Sequence, residues 1–127
     1  MFVTDATKKN DINALKKEKY EKIDRFDLIQ VLKINPDSSF LMRVTGFSMI
    51  NAGINSGDIV VADKNLIPKS GDIVIAEINN RLTIKRLAIE DNRYVLKAEN
   101  DNYKSIKIND DDTFNIWGVV RQSIQYV

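Results

Sequence analysis

Short β-type runs separated by turn residues dominate the sequence from Asp27 onwards, and this pattern constrains the fold most strongly. The candidate strands are Phe40–Val44, Asp58–Ala62, Asp72–Ile78, Leu82–Ile89, Tyr94–Ala98, Ser105–Ile108 and Phe114–Val120. Gly, Pro, Asn and Asp residues lie between these runs, as turn chemistry requires. The Asn79-Asn80 pair predicts a two-residue hairpin, because asparagine tolerates a positive φ. The pattern predicts a mostly-β fold, and 127 residues suit one compact domain.

The first 25 residues have a different composition. They contain seven Lys or Arg against five Asp or Glu, no Gly or Pro, and only scattered apolar positions. We interpret residues 1–25 as a charged N-terminal arm, either disordered or transiently helical, ahead of a domain over residues 26–127. Residues 27–32 would form a short helix or an extended segment that stops before Pro36. The arm is too short and too polar for a helix-turn-helix, so no direct DNA binding is expected.

Two missing residue types restrict the chemistry. The chain has no Cys and no His, which excludes disulfides, thiolate nucleophiles, Ser-His-Asp catalysis and the usual zinc sites. We therefore expect neither a metal nor a cofactor. A nucleophilic enzyme of this composition must use Ser, Thr or Lys, with Lys or a carboxylate as its base.

Charge and hydropathy give broader expectations. The net charge is +1, so the overall electrostatics do not require a nucleic-acid or membrane partner. No apolar run approaches the roughly 20 residues that span a bilayer. The N-terminal residues lack the apolar centre of a signal peptide. A cytoplasmic protein is the expectation.

Ser48 is the first candidate for chemistry. It lies two residues after Gly46 and follows a candidate strand, so a tight turn would expose its hydroxyl group. Most serines in such turns only hydrogen bond to the nearby backbone. The segment alone therefore leaves both interpretations open.

Lys85 is the second candidate. Strand alternation places it on one face with Arg81, Thr83, Leu87 and Ile89, and the last two predict a partly apolar setting. Burial would lower its pKa from about 10.4 towards the roughly 7–8 that suits a general base. Alternatively, the side chain extends from a sheet edge into solvent. The residues alone therefore leave two interpretations open, a Ser48–Lys85 pair and a solvent-exposed lysine.

Several segments in order resemble one known family. They are Gly46-Phe47-Ser48-Met49, Gly53-Ile54-Asn55-Ser56-Gly57-Asp58, Gly71-Asp72-Ile73-Val74 and Thr83-Ile84-Lys85-Arg86-Leu87, followed by Glu99-Asn100, Tyr103 and Trp117-Gly118-Val119-Val120. This order is similar to the LexA/UmuD family, the S24 peptidases, over roughly residues 25–120. The interval of 37 residues between the serine and the lysine also fits that family.

The resemblance implies a LexA-like (β-clip) catalytic domain of twisted antiparallel strands. It implies that Ser48 is the nucleophile and Lys85 the general base of an autoproteolytic serine peptidase. Backbone N–H groups around Phe47 and Ser48 would form the oxyanion site. Thr83 would orient the lysine amine, or it is simply a β-former placed by propensity.

Within the family, residues 25–36 and the short arm are most similar to UmuD. This implies a self-processing SOS-response mutagenesis protein that forms a homodimer, contacts the RecA filament and serves an error-prone, UmuC-like DNA polymerase. Two alternatives stay open. One is a non-cleaving dimeric adaptor with a vestigial site, and the other is the catalytic part of a phage-type repressor.

The chain departs from the family at the expected cleavage site. Family members typically cut themselves at Ala-Gly or Cys-Gly in the arm, whereas this chain has no Gly before Gly46. Either another bond is cut, with Ala14–Leu15 as one candidate, or the chain is a shortened form, or self-cleavage has been lost.

Overall fold

The computed structural model describes residues 20–22 and 27–127. The predicted boundary between arm and domain, at residues 25 and 26, lies outside the described residues, and so does the candidate bond Ala14–Leu15. From residue 27 onwards the chain forms one short helix followed by seven strands.

The strands follow the predicted order, with small differences at their ends. Helix α1 spans Leu28–Val31, and the strands are β1 Ser39–Arg43, β2 Ile59–Asp63, β3 Ile73–Ile78, β4 Arg81–Glu90, β5 Arg93–Lys97, β6 Ile106–Lys107 and β7 Phe114–Ile124. A 3-10 helix, Ile50–Ala52, lies between β1 and β2. Each candidate strand is confirmed, and β7 alone differs substantially because it continues to Ile124. The helical alternative before Pro36 is also confirmed.

All strand pairs are antiparallel and form one sheet with the order β1-β2-β7-β3-β4-β5-β6. The hairpin between β3 and β4 turns at Asn79 and Asn80, whose φ values are 50° and 67°. This confirms the predicted two-residue turn, which needs a positive φ at both positions. Asp91 and Asn92, with φ values of 52° and 61°, make the same kind of turn between β4 and β5.

The sheet curls strongly. Three strands separate β1 from β4 in the sheet, and four steps of about 4.8 Å would hold them about 19 Å apart if the sheet were flat. Residues of both strands nevertheless line the same cleft. The ladder is irregular at Val61/Ala62 in β2 and at Ile75/Ala76 in β3, and such bulges increase local twist and bend a strand.

The core has two clusters. The first contains Met49, Ile54, Val60, Ala62, Ile75 and Ile84. The second contains Val74, Ala76, Leu87, Leu96 and Val119. Successive residues of β3 alternate between the two clusters, as the period of two in a strand requires. Both faces of the central strands are therefore covered by apolar side chains.

Candidate active site

The turn that carries Ser48 is held at both ends. Beyond β1, Val44 continues the pairing, with its N–H donating to the Asp58 carbonyl at 2.9 Å. Gly46 then has a φ of +97°, a conformation that glycine adopts without strain. Met49, only 2% exposed, packs in the first core cluster. Ser48 thus lies between a left-handed glycine and a buried anchor.

The segment after β5 binds the other side of this turn. The Glu99 N–H donates to the Ser48 carbonyl at 2.8 Å, and the Asn51 N–H donates to the Glu99 carbonyl at 2.9 Å. The Asn100 side-chain amide donates to the Phe47 carbonyl at 2.8 Å. These three hydrogen bonds join residues about 50 positions apart in the chain.

The structure brings Lys85 to Ser48. The Lys85 Nζ lies 3.0 Å from Ser48 Oγ, 2.7 Å from Thr83 Oγ1 and 3.1 Å from the Ile84 carbonyl oxygen. The residue is 8% exposed, and burial lowers the pKa of its amine below the ordinary value for lysine. Lys85 therefore does not extend into solvent, and Thr83 contacts the amine directly.

The three acceptors match the amine in both protonation states. A charged ammonium has three N–H donors, one for each oxygen around it. A neutral amine keeps two donors, which Thr83 Oγ1 and the Ile84 carbonyl accept. Its lone pair is then free to accept a hydrogen bond from the Ser48 hydroxyl group. Proton loss thus leaves no buried donor without an acceptor, so the neutral form needs no rearrangement.

An open edge of β4 explains how Lys85 faces the serine. Residues 86–90 of β4 pair with β5, but residues 81–85 pair only with β3. The turn of Ser48 lies beside this unpaired half. A cleft of about 190 Å³ opens there. It is lined by Met42, Arg43, Val44, Thr45, Ser48, Ile75, Leu82, Thr83, Ile84 and Lys85.

The cleft beside Lys85 has a partly apolar wall. Alternation places Leu87 and Ile89 on the same face of β4 as Lys85, and neither of them lines the cleft. Leu87 belongs to the second core cluster and Ile89 is 51% exposed. The reason is that both residues lie in the half of β4 that pairs with β5. Apolar residues from β1, β3 and the open half of β4 line the cleft instead.

Backbone donors are available next to the serine. The N–H groups of Phe47 and Ser48 donate to no acceptor among residues 20–22 and 27–127. Both groups lie outside the helices and strands, so no ladder or helical bond uses them. These are the donors that the family resemblance implies for an oxyanion site.

Arg86 and the backbone carbonyl of Gly71 were not among the predicted site residues. Arg86 Nε forms a salt bridge and hydrogen bond with Glu99 Oε1, and its Nη1 donates to the Gly71 carbonyl at 2.6 Å. Glu99 in turn binds the serine turn through its backbone. The only sequence signal was the family motif, in which an arginine or a lysine follows the catalytic lysine.

The described residues contain neither a metal-binding cluster nor a membrane-spanning helix. Within the described part of the chain, no three His, Cys, Asp or Glu side chains come together in a way that would hold a metal ion. No helix among the same residues is both long and apolar enough to cross a bilayer.

Comparison with known proteins places the chain in a family. The family model described as Peptidase S24-like matches residues 10–121. A LexA repressor of Oleidesulfovibrio alaskensis is 35% identical over 101 residues, which cover 80% of this chain and 49% of the repressor. A LexA repressor of Clostridium perfringens is 43% identical over 88 residues, or 68% of this chain and 43% of the repressor. The chain thus spans less than half the length of these relatives, whose names are LexA rather than UmuD. It belongs to the S24 peptidase family.

Proposed function

We propose that this chain is a self-processing serine peptidase in which Ser48 is the nucleophile and Lys85 the general base. The observation that carries the proposal is the 3.0 Å contact between Lys85 Nζ and Ser48 Oγ at the wall of an open cleft. The lysine is buried, which favours the neutral amine that a base requires. Family membership supports the same chemistry.

Acylation begins with the neutral amine. Lys85 accepts the proton of the Ser48 hydroxyl group while Oγ attacks the carbonyl carbon of the scissile peptide bond. The carbonyl oxygen becomes an oxyanion, and the N–H groups of Phe47 and Ser48 stabilise it. Thr83 and the Ile84 carbonyl hold the resulting ammonium in place.

The tetrahedral intermediate then collapses. The C–N bond breaks, and Lys85 returns its proton to the leaving amine, which leaves the acyl group on Ser48 Oγ. The neutral Lys85 next takes a proton from a water molecule, whose oxygen attacks the ester. Collapse of this second intermediate releases the carboxylate product, and Ser48 recovers its proton from Lys85.

Intact mass spectrometry tests the proposal. The purified chain is incubated from neutral to alkaline pH beside Ser48→Ala, Lys85→Met and the matched control Ser70→Ala, which lies in an exposed turn. We expect a fragment whose rate of formation rises with pH as Lys85 loses its proton, in the wild type and in Ser70→Ala only. The fragment mass identifies the cleaved bond. Cleavage that persists in Ser48→Ala and Lys85→Met would refute the proposal.

The finer role that we propose is UmuD-like. Residues 25–36 resemble the UmuD segment ahead of its catalytic domain, which supports a cytoplasmic SOS mutagenesis protein that contacts the RecA filament and assists an error-prone, UmuC-like polymerase. Exposed apolar side chains in and after β7, namely Trp117, Ile124 and Tyr126, support a homodimer. Sedimentation analysis tests the homodimer, and capture by RecA filaments tests the second partner. A monomer that does not bind the filaments would contradict this role.

A second role, as the catalytic part of a repressor, is favoured by the names of the relatives. The two roles differ in their partners and not in the chemistry of Ser48. Operator binding by the natural protein that contains this chain, weakened steeply by salt, would support the repressor. A non-cleaving adaptor would instead be supported by two results together: the wild type does not cleave itself, and Ser48→Ala still binds the polymerase.

A further inference from the structure

Asn100 makes a contact that the catalytic scheme above does not use. Its side-chain Nδ2 donates to the Phe47 carbonyl at 2.8 Å, while its Oδ1 accepts the Asn102 N–H at 3.0 Å. Both ends of the amide therefore have a partner, and this pattern of donor and acceptor defines its orientation. Asn100 is half-buried and does not line the cleft.

The geometry of the peptide unit gives this contact its significance. The Phe47 carbonyl and the Ser48 N–H belong to one planar peptide unit, and the described residues contain no cis peptide bond. In a trans unit the C=O and N–H bonds point in opposite directions. By holding the oxygen, Asn100 directs the Ser48 N–H away from itself. That N–H has no acceptor among residues 20–22 and 27–127, and it belongs to a residue that lines the cleft.

The neighbouring peptide unit is held from the same segment. The Glu99 N–H donates to the Ser48 carbonyl at 2.8 Å. The two peptide units that flank the Ser48 Cα are therefore both restrained by hydrogen bonds. Glu99 is itself paired with Arg86, which follows Lys85 in β4. The segment that orients the serine backbone is thus tied to the strand that carries the base.

We infer that Asn100 is a positioning residue that orients the Ser48 N–H as an oxyanion donor through its hydrogen bond to the Phe47 carbonyl. This inference rests on the proposed function, because an oxyanion forms only if Ser48 attacks a carbonyl group. Loss of a whole oxyanion donor costs about 10²–10³ in rate, so a donor that stays but loses its orientation should cost about 10- to 100-fold.

Two substitutions separate orientation of the donor from support of the turn. Asn100→Ala removes both side-chain contacts. Asn100→Asp keeps an oxygen for the Asn102 N–H but has no N–H for the Phe47 carbonyl. Asn102→Ala is the matched control, because Asn102 contributes only its backbone N–H to this cluster. Cleavage rates are measured across pH, and urea unfolding of each variant verifies the fold.

We expect Asn100→Ala to lower the plateau rate about 10- to 100-fold without moving the midpoint of its pH profile, since Lys85 keeps its three acceptors. We expect Asn100→Asp to stay slow although its turn contact is restored, and Asn102→Ala to cleave like the wild type. Full activity in Asn100→Ala, or recovery in Asn100→Asp, would overturn the inference while leaving the proposed function intact. No Ser48-dependent cleavage in the wild type would overturn the proposed function, and the inference with it.

Discussion

Replacement of Thr83 by valine tests the hydrogen bonds around the lysine amine most directly. Thr83 Oγ1 is the closest of the three acceptors, at 2.7 Å from Lys85 Nζ. Valine preserves the shape of threonine and removes the hydroxyl group. The charged ammonium then has two oxygen acceptors for its three N–H donors, namely Ser48 Oγ and the Ile84 carbonyl oxygen.

The size of the effect follows from the charge of the donor. A hydrogen bond from a charged group contributes about 1.5–3 kcal/mol, and one between neutral groups about 0.5–1.5 kcal/mol. Loss of the Thr83 acceptor therefore penalises the ammonium by about 1–1.5 kcal/mol more than the neutral amine, which corresponds to about one pKa unit. The shift is downward, in the same direction as the effect of burial. We expect the pKa of Lys85 in Thr83→Val to fall by about one unit below its wild-type value.

Two measurements follow this pKa. An NMR titration of isotope-labelled lysine side chains reports it directly, with Lys85→Met to assign the resonance. The midpoint of the rate of self-cleavage against pH reports it through the chemistry. Thr83→Ser is the control, because it keeps a hydroxyl group at the same position and should titrate like the wild type. A pKa that is unchanged or raised in Thr83→Val would refute the argument from the three acceptors.

Two further substitutions test stability. Because burial lowers the folded-state pKa of Lys85 below the unfolded value of about 10.4, the unfolded wild type binds more protons in that interval and its free energy of unfolding rises with pH. Lys85→Met lacks this dependence, so its free energy of unfolding relative to that of the wild type should fall as the pH rises towards about 10.4. A difference between the two proteins in urea unfolding that does not change with pH would contradict the lowered pKa of Lys85. A Cβ on Gly118 would lie 2.8 Å from Phe40 Cε1 and 3.1 Å from the Asp63 carbonyl oxygen, so Gly118→Ala should cost about 1–3 kcal/mol in urea unfolding. When Phe40→Leu is added to Gly118→Ala, it should recover part of that loss. An unchanged urea midpoint in Gly118→Ala would show that the central strands relax around the added methyl group without a loss of stability.

Much of this molecule is predictable from local sequence rules. Branched residues bounded by Gly, Asn, Asp and Pro predict each strand, because strand and turn preferences act over a few neighbouring residues. The Asn79-Asn80 hairpin follows from the tolerance of asparagine for a positive φ, which the structure confirms. The absence of Cys and His restricts a nucleophilic site to Ser, Thr or Lys. The resemblance of the ordered motifs to a known family, which is not a local rule, then points to Ser48 and Lys85.

The position of those two residues against each other depends on long-range pairing. Alternation predicts which residues of β4 share a face, but not that its pairing with β5 stops at Arg86 and leaves the first half of the strand open. For that reason the apolar residues that line the cleft come from β1, β3 and the open half of β4 and not from Leu87 and Ile89, and Thr83 contacts the amine of Lys85.

The contacts of Glu99 and Asn100 with the serine turn were likewise beyond local rules, since they join residues about 50 positions apart. Strand propensity is a property of neighbouring residues, whereas the curl of the sheet and the ends of its ladders depend on how all seven strands pack together. Residue types along the chain thus define the available chemistry. The packed sheet alone removes Lys85 from water and holds it 3.0 Å from Ser48.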